Sequence, residues 1–211
     1  MSSPTHHLST TSYAILGQLA LRPWTAYDLA AEVRCNFRYF APRAASHVYA
    51  ELKRLNSAGL ARASISAVGR RPRTTYSITA SGRRKLDAWL RTPIAPPVLE
   101  HEAVLRVLLA PLGDRAALLQ VLEQAISDTD ELLSQVRPRI GHEYLQGRAP
   151  FQDHAHVRQF VFEFITEFHL LLRRWAVETH DVVSEWDDTT SAGKEGEAMK
   201  RIGREMRRRT D

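Results

Sequence analysis

Residues 59–78 read GLARASISAVGRRPRTTYSI. From Leu60 onward the chain alternates, with Leu60, Arg62, Ser64 and Ser66 set against Ala61, Ala63, Ile65 and Ala67, which is the period of a strand and not of a helix. Gly69-Arg70-Arg71-Pro72-Arg73 then reads as a turn with three cations at its tip. Thr74 to Ile78 is rich in the β-branched and aromatic residues that suit a second strand. The stretch is a β-hairpin with a basic tip, and the elements around it decide the fold.

Upstream the spacing is helical. Tyr13, Ile15, Leu16, Leu19 and Ala20 predict a first helix over Thr10 to Leu21, stopped by Arg22-Pro23. Thr25 is placed to cap a second helix carrying Tyr27, Leu29, Ala30 and Val33 and ending near Arg34. A connector from Asn36 to Pro42 leads to a third helix, Ala44 to Ala58, with Val48, Leu52 and Leu55 facing inward and Gly59 as the stop. Downstream of the hairpin, Thr79 or Ser81 caps a fourth helix with Leu86, Trp89 and Leu90. Thr92-Pro-Ile-Ala-Pro-Pro97 reads as a linker.

Three helices, a basic hairpin and a fourth helix in that order describe a winged helix-turn-helix over residues 9–92. The third helix of such a domain enters the major groove, and the wing lays its cations on neighbouring phosphates. Positive charge stands at both places: Arg43, Lys53 and Arg54 on or beside the third helix, and Arg70, Arg71 and Arg73 at the wing. Ser46, His47 and Tyr49 add hydrogen-bonding groups on the groove-facing half of the helix. These nine residues are the expected DNA contacts. Tyr76 is read as strand packing.

Charge along the chain agrees with that reading. The net charge is +5, but residues 1–92 hold 14 basic side chains against 4 acidic ones, while the remainder holds 15 against 20. A cationic N-terminal domain favours a phosphate-rich polymer through counterion release. Because 25 of the 29 basic residues are Arg, a compositional bias toward Arg accounts for part of the surplus.

Beyond the linker, residues 99–186 predict a helical domain: Glu100 to Ala110, Asp114 to Arg137, and a long stripe of Val157, Phe160, Val161, Phe164, Ile165, Phe168, Leu171, Leu172 and Trp175. So broad an aromatic face with so few helices around it calls for a second subunit, and Phe160, Phe164, Phe168, Leu171, Leu172 and Trp175 are the expected homodimer interface. Trp89, Trp175 and Trp186 are read as core or interface. Residues 1–8 and 189–211 are expected to be flexible tails, the Arg207-Arg208-Arg209 run simply solvated.

With 211 residues, 44% of them hydrophobic and 25% charged, the chain has enough apolar mass for one full domain or two small ones. No apolar stretch approaches the length of a membrane span, and Met1 to Thr10 lacks a signal-peptide pattern, so a cytoplasmic protein is expected. The single Cys35 forms no internal disulfide and is read as an inert packing residue. His154 and His156 stand two apart, on different helix faces, and His6-His7 lie in a terminal segment. Neither a glycine-rich loop nor a nucleophilic arrangement accompanies Glu163, Glu167 and His169, so no metal, cofactor or enzymatic activity is expected.

The strings Tyr13-Ala-Ile-Leu-Gly17, Tyr27-Asp28-Leu29, Tyr49-Ala-Glu-Leu-Lys-Arg-Leu55 with Gly59-Leu60, and Gly69 to Arg83 with its Tyr76-x-x-Thr79-x-x-Gly82 pattern resemble, in order, the DNA-binding domain of PadR-family transcriptional regulators. The resemblance implies a dimeric regulator, usually a repressor on an inverted-repeat DNA operator, with a helical C-terminal dimerisation region and release by a small-molecule effector. Ala26 stands where family members commonly carry Gly. The long C-terminal half resembles the subgroup with an extended helical domain, so no effector-pocket residue is carried over. The competing reading is a winged-helix adaptor that binds a protein and not DNA.

Overall fold

The computed structural model describes residues 8–37, 42–68, 71–149, 151–190 and 195–207, and the chain divides between Pro97 and Val98 into two compact units, 1–97 and 98–211. The first unit runs α1 (Thr10–Leu21), β1 (Trp24–Thr25), α2 (Ala26–Asn36), α3 (Pro42–Ser57), β2 (Ala61–Val68), β3 (Arg71–Ile78) and α4 (Ala80–Trp89). It has the winged-helix architecture that the hairpin and its flanking helices predict.

Local chemistry fixes the ends of these elements. Ser9 and Ser12 form a reciprocal capping box at the start of α1. Thr25 caps α2 by accepting the Asp28 amide at 3.0 Å, and Thr79 caps α4 by accepting the Gly82 amide at 3.1 Å. Gly59, at φ +69°, supplies the left-handed turn that ends α3. The apolar faces of the helices then close over one core: Ile15, Leu16 and Leu19 from α1, Leu29 and Val33 from α2, Val48, Leu52 and Leu55 from α3, and Leu86 from α4, all buried. Tyr13 stacks on Trp89 at 4.6 Å, tying α1 to α4.

The sheet has the order β1-β3-β2. β2 and β3 pair antiparallel from Ala61↔Ile78 out to Val68↔Arg71, and the two-residue β1 pairs Trp24↔Tyr76 and Thr25↔Thr75. β1 has no periodicity to betray it in the sequence. It forms because buried Trp24 donates its indole N–H to the Gln18 carbonyl at 2.9 Å and so lies against the wing strand. Cys35, expected as packing, is exposed on the last turn of α2.

The second unit comprises α5 (Glu102–Leu108), α6 (Arg115–Glu131), α7 (Arg137–Leu145), α8 (Ala155–Ser184) and α9 (Glu195–Arg207). α6 and α7 are one helical run joined by a π-helical turn, Leu132–Val136. Pro138 explains the turn, since its ring lacks an N–H and crowds the preceding turn. The sequence expectation stopped at Arg137, whereas the helix continues to Leu145. α8 returns antiparallel: Arg115 donates to the Val183 and Ser184 carbonyls at one end, Arg173 pairs with Asp130 midway, and Arg158 donates to the Tyr144 hydroxyl at the other.

The buried cluster of this unit, Leu118, Leu122, Ala125, Ala176 and Val183, draws in Trp175 and Trp186 and serves only the C-terminal half of α8. The segment from Thr189, expected as a tail, departs from that expectation. Thr189 is buried and donates its hydroxyl to the Gly113 carbonyl at 2.9 Å, and α9 follows with Met199, Ile202 and Met206 exposed on one side. Residues 1–7, 191–194 and 208–211 lie outside the described residues.

One close approach holds the winged unit together. A Cβ built on Gly82 would stand 2.1 Å from the Leu60 carbonyl oxygen and 2.9 Å from Ile78 Cγ1, because α4 starts directly on the strand-to-helix corner where Thr79 donates its amide to Leu60 and its hydroxyl to Gly59. Gly82→Ala is expected to destabilise the unit by about 1–3 kcal/mol, read as a lower urea midpoint at unchanged m-value.

Candidate nucleic-acid interface

α3 is the central element of the candidate site. Its inward stripe, Val48, Leu52 and Leu55, is buried, and the residues between them are turned out. His47, Ala50 and Lys53 are exposed, and Tyr49 is 55% exposed. Tyr49 therefore does not pack between helices. Arg43 and Ser46 belong to the first turns of α3, and their side chains lie outside the described residues.

Arg54 is differently placed from Lys53. Its guanidinium donates to both carboxylate oxygens of Glu51, at 3.0 and 2.6 Å, and to the hydroxyl of buried Ser12 in α1 at 2.5 Å. It thus joins the outer face of α3 to α1. Burial pushes the Glu51 carboxyl up, but the bonds from Arg54 and Ser12 and the charges of Arg54 and His47 outweigh it and hold the group below its ordinary 4.5.

On the wing, Arg62 is exposed on β2 and Arg73 on β3. Arg73 does not simply project into solvent: Nη2 donates to Asp28 Oδ2 at 2.8 Å, linking β3 to the first turn of α2. Arg70 and the side chain of Arg71 lie outside the described residues. Tyr76 is half-buried, as a packing residue of the central strand should be. The third helix and the hairpin are thus on one unit, with Lys53, His47 and Tyr49 exposed on the former and Arg62 and Arg73 on the latter.

Sequence reasoning missed Asp28. The signal was present in part, since Thr25-x-x-Asp28 is the pattern of an N-cap with an acid three residues on. Its cationic partner, 45 residues away, has no local signature. Among the described residues no group of three or more His, Cys, Asp or Glu is placed to hold a metal ion, and no helix is long and apolar enough to cross a membrane.

The sequence profile of the transcriptional regulator PadR-like family matches residues 15–88, the whole of the winged domain from the middle of its first helix to the end of its fourth. A search of curated proteins gave no match. Solved structures share the fold, three of them as follows. Bacillus subtilis PadR in complex with operator DNA is 21% identical with a TM-score of 0.70, covering 84% of this chain and 99% of its own. The same regulator in complex with p-coumaric acid is 21% identical with a TM-score of 0.61, covering 84% and 100%. A PadR-like transcriptional regulator from Bacillus cereus is 15% identical with a TM-score of 0.68, covering 86% and 99%.

The Arg54–Glu51 bridge makes a pH-dependent contribution whose sign follows from the lowered carboxyl. The bridge stabilises the fold fully above the ordinary 4.5 of an unfolded glutamate, and its contribution is lost as pH falls through the lower folded value. Glu51→Gln should therefore be less stable than the parent at pH 7, by about 1 kcal/mol for a pair whose arginine is 41% and whose glutamate is 12% exposed, with the gap closing as the pH is taken below that value in urea titrations.

Proposed function

We propose that the chain, whose residues 15–88 match the PadR-like family of transcriptional regulators, is a homodimeric, sequence-specific DNA-binding repressor of an inverted-repeat operator. The observation that carries the reading is the outward face of α3, where His47, Tyr49 and Lys53 are exposed opposite the buried Val48, Leu52 and Leu55. A helix with an apolar inner stripe and a polar, cationic outer one suits a major groove, with Arg43 and Ser46 extending the same element toward its N-terminus. Arg70 and Arg71 of the wing supply phosphate contacts that position the helix without reading sequence, and Arg73 stands on the same wing with its guanidinium bonded to Asp28. Arg54 contributes charge near the duplex while bracing α3 on α1.

Pairing of two copies brings two recognition helices to one operator, and the N-terminal half of α8 supplies the pairing surface. Phe160 and Phe164 are 62% and 64% exposed and Leu171 is exposed beside them, whereas Phe168, Leu172 and Trp175 are partly covered within their own unit. An effector acts on such a dimer by binding one arrangement of the two winged domains better than another, which is the condition for any ligand to shift the equilibrium. The p-coumarate complex of the B. subtilis regulator supports an aromatic acid as the class of compound to screen first.

Fluorescence anisotropy with the DNA upstream of the chain's own gene tests the reading. Lys53→Ala should weaken binding, and combined replacement of Arg70, Arg71 and Arg73 by Ala should flatten the salt dependence by up to about one unit of slope for each phosphate no longer neutralised. A chain that leaves the duplex unshifted at low salt is instead a protein-binding adaptor. The double variant Phe160→Ser, Phe164→Ser should sediment as a monomer that keeps the helical content of the parent, because both rings are exposed within the subunit. Its operator affinity should fall by roughly 100-fold or more, because a monomer forgoes the avidity of two linked half-sites.

A further inference from the structure

Arg73 and Asp28 meet because of strand register. β1 ends at Thr25, opposite Thr75, and there the chain turns into α2. Arg73 shares a strand face with Thr75, two residues further toward the wing tip, and so comes level with the first turn of that helix. Its Nη2 donates to Asp28 Oδ2 at 2.8 Å, and the same oxygen accepts from the Thr25 hydroxyl at 2.7 Å. The Thr25 hydroxyl in turn accepts the Asp28 amide at 3.0 Å. The carboxylate is thus fixed on the N-cap of α2, and the guanidinium is held by the carboxylate. The Thr25 bond, against the opposing effect of burial and aided by Arg73 and the charge of Arg22, holds Asp28 below the usual carboxylate range, so it is ionised wherever duplex DNA is handled.

The two side chains are 57% and 43% exposed, and a pair so open to water adds little to folding stability. Its weight falls on what a polyanion meets at the wing. Any phosphate that approaches Arg73 also approaches an ionised oxygen bonded to it. We propose that Asp28 withholds Arg73 from the DNA phosphates and so sets how much the wing adds to affinity, an inference that rests on the DNA-binding reading above. By suppressing one sequence-independent contact, Asp28 leaves a larger share of the binding energy to the base edges facing α3. It is a specificity-determining residue that touches no base.

The test uses the full chain and a fluorescent mixed-sequence duplex of about 40 base pairs, titrated between roughly 50 and 200 mM salt, because phosphate contacts need no operator. Asp28→Asn keeps an acceptor for Thr25 and removes the charge. It should bind about 3–10-fold tighter at the lowest salt, with a slope steeper by about 0.9, the equivalent of one phosphate contact. Arg73→Ala should change the parent little and erase the increase in affinity in the Asp28→Asn background.

Asp87→Asn, exposed on α4, makes the same change of net charge away from the wing pair and should give neither effect. Equal tightening and steepening by Asp87→Asn, or unchanged or weaker binding by folded Asp28→Asn, overturns the proposal. So does a large loss of affinity from Arg73→Ala alone, a variant that also decides the matter if Asp28→Asn fails to fold. Failure of the parent itself to bind at the lowest salt counts against the DNA-binding reading and not against the role of Asp28.

Discussion

The winged unit depends on the burial of one stripe of α3. Val48, Leu52 and Leu55 have essentially no exposed surface, and α3 packs against both α1 and α2. Each such side chain stabilises the fold by about 1.5–3 kcal/mol relative to leaving it in water. That burial does more than hold the helix. A helix has one azimuth to choose, and once these three residues point inward, Tyr49 and Lys53 have nowhere to point but out. The hairpin depends on the same seam, because β2 leaves the C-terminal corner of α3 through Gly59 and the buried Leu60 and Ala61. The exposed face of α3 and the core beneath it are two sides of one packing decision.

Electrostatics within the unit modify what its net charge implies. A surplus of ten cations over the first 92 residues describes the field at a distance. Close to the surface the cations are unequal. Arg54 is held by Glu51 and Ser12, and Arg73 by Asp28, so two of the four acidic residues of the domain are set against cations on the two elements expected to meet DNA. Lys53, beside Arg54 in sequence, is turned to the opposite flank of the exposed face and carries its charge to solvent. Adjacent residues on one helix thus have different duties, one bracing the domain and one facing outward.

How far the sequence could be read follows from the range of each interaction. Helix caps at Thr25 and Thr79, the stop at Gly59 and the alternation of β2 are set by neighbours within a few residues, and all were legible. The same holds for the inward stripe of α3. Features set by distant partners were not: β1 pairs with Tyr76 and Thr75, about 50 residues away, and the bonds from Arg54 to Ser12 and from Arg73 to Asp28 span 42 and 45 residues. The helix expected over Asp114 to Arg137 runs on for another reason: a π-helical turn at Leu132–Val136 carries it past Pro138 to Leu145. α9 was hidden by a composition of Gly, Lys, Glu and Arg that suits a tail as well as a helix.

The helical unit is legible in the same divided way. The spacing of the aromatic stripe predicts one continuous face along α8. Instead the stripe is shared: Trp175, Ala176 and Val183 close against Leu118 and Leu122 of α6, whereas Val157, Phe160, Val161 and Phe164 are exposed among the described residues. Four such side chains, with Leu171 alongside, present on the order of several hundred Å² of apolar surface, beyond the scatter of single exposed residues on a monomer and within the range of one side of a standard interface. The exposed patch lies at the α7 end of the hairpin and the internal core at the other. A two-fold axis through the patch would therefore join the copies without disturbing the packing that keeps each hairpin folded, which is the arrangement an isologous dimer requires.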